Sequence, residues 1–235
     1  MASPCFPSRN FWSCCNEDHT GQQLRARAGS GGADASGRRA QQAVPLPETF
    51  SQLLAGEPPY DALCGILCTH AHPDHYNALR TRQLQAASGA PVFVPQPQTP
   101  PQLALQFGPF CVEYHQFAHT PVPGWDAITH GVYFISAAGV SVYVTADARI
   151  DAVQHRAILH GRRADAAFWN GQILSYPETR ALLPEAAKKN YVYHIPADEK
   201  DACGVRRKCE RNMARFGAEL PNVSLLEAYP SQILL

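Results

Sequence analysis

The chain has no charge surplus of either sign: twenty Lys and Arg are matched by twenty Asp and Glu over 235 residues. A neutral chain sets up no long-range field to gather nucleic acid or an anionic membrane surface, so any partner has to be recognised locally. The sequence also lacks an apolar run near the roughly eighteen residues that cross a bilayer, and no apolar h-region follows its N-terminus. Its eight cysteines include no CxxC pair and no dense framework, which makes reduced thiols in an untargeted, cytoplasmic protein the simplest expectation. Residues 1–44 lack both helical and strand spacing, and SGGADASGRR has the composition of a flexible linker. That segment is expected to be disordered or atypical, and Cys14, Cys15 and His19 within it lack the spacing of a zinc knuckle. Residues 45–235 are enough for one α/β domain with a sizeable core.

What is present is concentrated in Cys64 to Leu79, CGILCTHAHPDHYNAL. His70, His72, Asp74 and His75 put four metal-ligand side chains into six positions, directly after a short apolar run that reads as a buried strand. Pro73 biases His72 toward an extended backbone and cannot itself join a ladder, so the loop is stiff where ligands need stiffness. Asp74 falls at the N-cap expected for a helix carrying Ala78, Leu79, Leu84 and Ala87 and closed by Gly89.

Three further ligand types stand just beyond apolar strands: His119 after residues 110–117, Asp147 after 140–145, and His194 near the end of 191–195. His115 competes with His119 but lies inside its strand, which disfavours it. Open α/β architectures place their sites at strand ends, where loops vary while the sheet holds them rigid. Convergence of four distant segments is a more economical reading than a polar loop, a turn Asp and two stray histidines.

The remaining elements alternate in type. Helices are expected at 47–54, at 151–160, at 177–189 with a break at Pro184, and at 200–216 ending in Gly217. Strands are expected at 91–94, 131–136, 164–169 and 223–227, with 95–101 an irregular loop and 137–139 a hairpin turn. Two sheets with outer helices is the natural packing of this pattern. Trp125, His130 and Tyr133 flank the loop after His119 and can line a pocket, although aromatics beside a strand more often join the core. Arg206, Arg207, Lys208 and Arg211 read as a solvated helix face rather than a phosphate site.

The series His70-x-His72-x-Asp74-His75, then His119, Asp147 and His194, resembles the signature of the metallo-β-lactamase superfamily, over residues from about 60 to the C-terminus. The resemblance implies an α/β fold, the αββα sandwich of two mixed sheets with outer helices. Members usually begin with two or three strands, including an Asp at a strand end, and nothing in residues 1–44 plays that part. Either the first sheet is incomplete or the chain begins with sequence foreign to the fold. The resemblance further implies two metal ions, Zn²⁺ first, with Mn²⁺ or Fe accepting the same donors. His70, His72 and His119 would hold one, Asp74, His75 and His194 the other, with Asp147 bridging and Asp74 and Asp147 the catalytic carboxylates. The form THAHPDHYNAL and the short spacing from His75 to His119 look similar to the lactonase and phosphodiesterase-like branch, and Asp147 stands where true β-lactamases usually carry Cys. The implied activity is hydrolysis of an ester-type bond, a phosphodiester or lactone, in a small molecule, by a hydroxide held between the metals. The alternatives are an RNA-processing nuclease of the same fold, which a chain with few clustered cations argues against, and a catalytically inactive remnant whose missing strands expose a sheet edge.

Overall fold

The computed structural model of the protein describes residues 11–13, 47–58, 60–121, 128–196, 201 and 203–226. Cys14, Cys15, His19 and Trp125 lie outside the described residues, as do Lys200 and Glu227 at the far ends of the last expected helix and strand. In chain order the elements are β1 (Phe11–Ser13), α1 (Pro47–Ala55), β2 (Gly65–Leu67), α2 (Ala78–Ser88), β3 (Val92–Phe93), β4 (Gln102–Phe107), β5 (Phe110–Phe117), β6 (His130–Ala137) and β7 (Val140–Val144). They continue with α3 (Ala152–Leu159), β8 (Ala164–Asn170), α4 (Pro177–Arg180), α5 (Leu182–Ala186), β9 (Ala187–Tyr193), α6 (Val205–Phe216) and β10 (Val223–Leu225).

Alternation along β6 sends Val132 and Phe134 to one face and Tyr133 and Ile135 to the other, and all four are buried. A strand apolar on both faces needs a covering layer on each side. On one side Tyr133, Tyr114, Val144 and Phe107 meet Leu67 of β2, so two sheets pack face to face. On the other, Trp169, Ala167, Val192 and Tyr143 form the largest core with Leu182, Leu183, Leu174 and Cys209 from the helices behind. Leu53 and Leu84 bring α1 and α2 onto Ile66 and Cys68, the outer face of the smaller sheet. The layers therefore run helix, sheet, sheet, helix, as expected.

The larger sheet has the order β10-β9-β8-β7-β6-β5-β4, parallel from β10 to β7 and antiparallel from β7 to β4. The smaller sheet, β1-β2-β3, is wholly parallel among the described strands and so is not mixed. Its outer strand β1 comes from the segment expected to carry no strand, and it pairs in register with all of β2. The β6–β7 hairpin turns on Ala138 and Gly139, both with positive φ, the geometry a two-residue turn needs to match strand twist.

Four local expectations are corrected. The N-cap of α2 is Asn77, whose side chain accepts a hydrogen bond from the Arg80 amide, and not Asp74. Residues 72–76 form their own turn, with the His75 and Tyr76 amides both bonded to His72 O, which sets the helix start three residues later. A strand missing from the sequence reading, β4, pairs with β5 along its whole length. The expected helix over 177–189 divides at Ala181 and gives way to β9 at Ala187. Pro184 would clash with the carbonyl four residues earlier in a continuous helix, and a restart at Leu182 puts it in a first turn, where its missing N–H costs nothing. Finally, α6 begins only at Val205, its first amides held by Asp201.

Candidate metal centre

Four strand ends and one loop bring the expected ligands together. The loop after β2 is anchored on both sides of His70: Tyr133 Oη donates to Cys68 O at 2.5 Å, and the Gly131 amide donates to Thr69 O at 2.8 Å. Gly131 permits that approach because a Cβ there would run into the Tyr114 ring. His119 follows β5 and forms an isolated antiparallel bridge with Ala148, and the Thr120 amide donates to Asp147 O at 2.8 Å. The strand ends carrying His119 and Asp147 are thus stitched together. His194 follows β9 in the left-handed region, φ 64°, and Ala146, just before Asp147, sits at φ 43°. Non-glycine residues pay roughly 1–3 kcal/mol for such conformations, and two of the four found among the described residues are at this centre.

The donor atoms fall into two groups, His70, His72 and His119, and Asp74, His75, Asp147 and His194, each group lying within 4.8 Å of one another. Asp147 stands between them. Its Oδ2 is 3.0 Å from His75 Nε2, 3.6 Å from His119 Nε2 and 3.8 Å from His70 Nε2, while Oδ1 is 3.3 Å from His194 Nε2. All seven residues that the sequence singles out are brought together. His115 stays within β5 beside Glu113, 3.8 Å away, and takes no part.

The ring orientations suit metal ligation. His119 Nδ1 lies 2.5 Å from Thr120 O and donates to it, which leaves Nε2 facing Asp147. His70 Nδ1 lies 3.1 Å from Thr69 Oγ1. Nε2 of both rings is buried with no hydrogen-bond partner among the described residues. A buried polar atom without a partner costs about 1–3 kcal/mol, and a bound cation would satisfy both rings at once. The donors are imidazole nitrogens and carboxylate oxygens, a set that fits Zn²⁺, Mn²⁺ or Fe. None of the described cysteines belongs to either group.

Electrostatics agree with that fit. Burial drives the His70 pKa far down, and the neighbouring His75 and His130 push the same way, so the ring is neutral and its lone pair free for a metal. Burial pushes the Asp147 carboxyl up, but the charges of His194 and His75, with the close approach of the His119 and His194 rings, outweigh it and hold the group well below the usual carboxylate range. Access differs among the ligands: the His70 and His75 side chains are fully buried, whereas Asp74 and His194 keep 25 % and 24 % of their side-chain exposure.

Two residues near the centre have roles that differ from a pocket wall. Tyr133 is in the core between the sheets, and His130 is fully buried, its ring 4.9 Å from His70 and 5.5 Å from His119. Among the cations of α6, Arg207, Lys208 and Arg211 are exposed as expected. Arg206 is buried instead, its Nε donating to Pro196 O at 2.6 Å, which fastens the loop that follows His194.

No family model and no curated protein matches the chain. Solved structures match loosely. The metallo-beta-lactamase fold protein YhfI from Bacillus subtilis is 18 % identical, with a TM-score of 0.46 over 74 % of this chain and 78 % of that one. Zn²⁺-bound PqqB from Methylobacterium extorquens is 12 % identical, with a TM-score of 0.49 over 80 % and 81 %. CmlA, a diiron beta-hydroxylase from Streptomyces venezuelae, is 11 % identical, with a TM-score of 0.42, and this chain spans only 39 % of its length. The first of these bears the name of the superfamily that the His70–His75 motif resembles, and it is the geometry of the seven ligands that carries the functional reading.

Proposed function

We propose that the protein is a metal-dependent hydrolase of the metallo-β-lactamase superfamily, binding two divalent ions and cleaving an ester-type bond, a phosphodiester or a lactone, in a small molecule. The observation that supports this most is the convergence of seven His and Asp side chains from distant segments into two adjoining donor groups with Asp147 between them. His70, His72 and His119 hold the first ion and Asp74, His75 and His194 the second, with Asp147 shared. When bound, the ions supply a hydroxide nucleophile at neutral pH and Lewis acidity at the ester oxygen.

The protein's own groups do the rest. Asp147, held ionised, accepts on both of its oxygens and fixes the spacing of the two groups. The hydrogen bond from His119 Nδ1 to Thr120 O fixes one ring, and Thr69 Oγ1 beside His70 Nδ1 steadies another, so neither has to reorient during turnover. Asp74, partly exposed and 3.8 Å from His75, keeps its carboxylate at the open side of the second group. A neutral chain whose exposed cations are scattered over several elements, Arg82, Arg156, Lys188 and Arg207 among them, favours a small substrate over RNA.

Chromogenic phosphodiesters and lactones, assayed with zinc- or manganese-loaded protein, test the reading. Turnover of either class that stops on chelation supports it, and metal-loaded protein that turns over neither class contradicts the ester-hydrolase assignment. A catalytically inactive remnant stays as the second reading, because the smaller sheet has only three strands among the described residues.

A further inference from the structure

The turn that carries the shared carboxylate is held on one side by backbone amides and the Thr120 hydroxyl, which donates to Ala148 O at 3.3 Å, and on the other by a single side chain. β8 ends at Asn170, a buried residue. Its Nδ2 donates to Ala146 O at 2.8 Å and to Ala148 O at 2.9 Å, the carbonyls on either side of Asp147. Its Oδ1 accepts from the Gln172 amide at 3.1 Å, which consumes the other end of the amide and fixes its orientation. Opposite, the Thr120 amide holds Asp147 O and the Arg149 amide holds Ala118 O. The Asp147 turn is gripped from both flanks, with Ala146 kept in the left-handed conformation that a free turn would leave.

We infer that Asn170 is a positioning residue for the shared metal ligand: its amide sets where the Asp147 carboxylate stands, and so decides whether the second ion binds. The inference rests on the metal-centre reading above. Both acceptors are carbonyls, so the side chain has to offer two N–H groups from one nitrogen, which among residues of this size only Asn does. Aspartate has the same shape but would set lone pairs against both carbonyls. The anchor is stiff behind Asn170 too, since Gly171 packs so closely on Cys209 Sγ of α6 that a Cβ would collide with it. The effect should be uneven between the ions. Asp147 lies nearer His75 and His194 than His70 and His119, and none of His70, His72 and His119 takes part in Asn170's hydrogen bonds.

The test is a zinc titration against a chelating dye on wild type, Asn170→Ser and Asn170→Asp, with the thermal midpoint of each zinc-free protein as a control for folding. The expected result is a first equivalent within twofold of wild type in both variants, and a second equivalent weakened about tenfold by Ser, which keeps one donor, and about a hundredfold by Asp. A second equivalent within twofold of wild type in either folded variant overturns the inference, as does equal weakening of both equivalents. Should the Asn170→Asp variant fail to fold, the Asn170→Ser variant decides alone. If wild type itself binds fewer than two equivalents, the metal-centre reading fails first and the role of Asn170 falls with it.

Discussion

Asp147 Oδ2 lies 3.0 Å from His75 Nε2, joining the end of β7 to the loop after β2 across the space between the two sheets. A carboxylate shared between two donor groups has no neutral substitute. Asp147→Asn keeps the shape but loses the charge and one acceptor oxygen, so turnover should fall at least about a hundredfold, about 2.7 kcal/mol. Steady-state kinetics at saturating zinc measure this, and a variant with wild-type kcat would remove Asp147 from the mechanism.

Asn77 and Asp74 separate stability from chemistry. Asn77 caps α2 through the Arg80 amide, so Asn77→Ala should cost about 1 kcal/mol in urea unfolding. Asp74→Asn, which removes no cap, should change the stability of zinc-free protein by less than about 0.5 kcal/mol yet abolish activity. Reversed effects would restore Asp74 as the cap.

Gly131 ties the start of β6 to the His70 loop, its amide donating to Thr69 O. Gly131→Ala forces a methyl against the Tyr114 ring, an overpacking that should cost about 1–3 kcal/mol. For a chain of this size that is a fall in Tm of about 2–4 °C per kcal/mol. An unchanged Tm would show that the Tyr114 ring can move aside.

His155, which stacks on Phe117 at 4.5 Å and belongs to neither donor group, gives a pH test. Its Nδ1 lies 2.7 Å from Tyr143 Oη in the main core, and burial, only partly offset by the charge of Asp151, pushes its pKa down to about 4. The folded state keeps the ring neutral while the unfolded chain protonates it near 6.5, so its stabilising effect is complete above about 6.5 and is lost as pH falls toward 4. The loss amounts to about 3 kcal/mol. Urea unfolding at pH 7 and pH 4.5 should show wild type losing more stability than His155→Leu; parallel losses would mean that His155 is accessible to protons in the fold.

The ligands were the most legible part of the molecule. Four of them fall within six residues, which spacing alone marks, and the other three, each at or near the end of an apolar strand, stand out through the family resemblance as well. What spacing cannot convey is the support behind them. Asn170 at the end of β8 is, in sequence, an ordinary turn asparagine; its role comes from carbonyls more than twenty residues away. β4 escapes notice because the Pro- and Gln-rich run before it hides the alternation of Leu103, Leu105 and Phe107. The divided α4 and α5 read as one helix because the sequence does not show that Pro184 falls in a first turn. The choice of Asn77 over Asp74 as cap depends on a turn at His72 that competes for the same residues.

The measurement that bears most directly on the whole account is the metal content of purified protein, by mass spectrometry, for wild type, His70→Ala and Asp147→Ala. The account predicts near two equivalents in wild type and a loss in both variants. Folded wild-type protein that binds no metal, even when zinc or manganese is supplied, would contradict it.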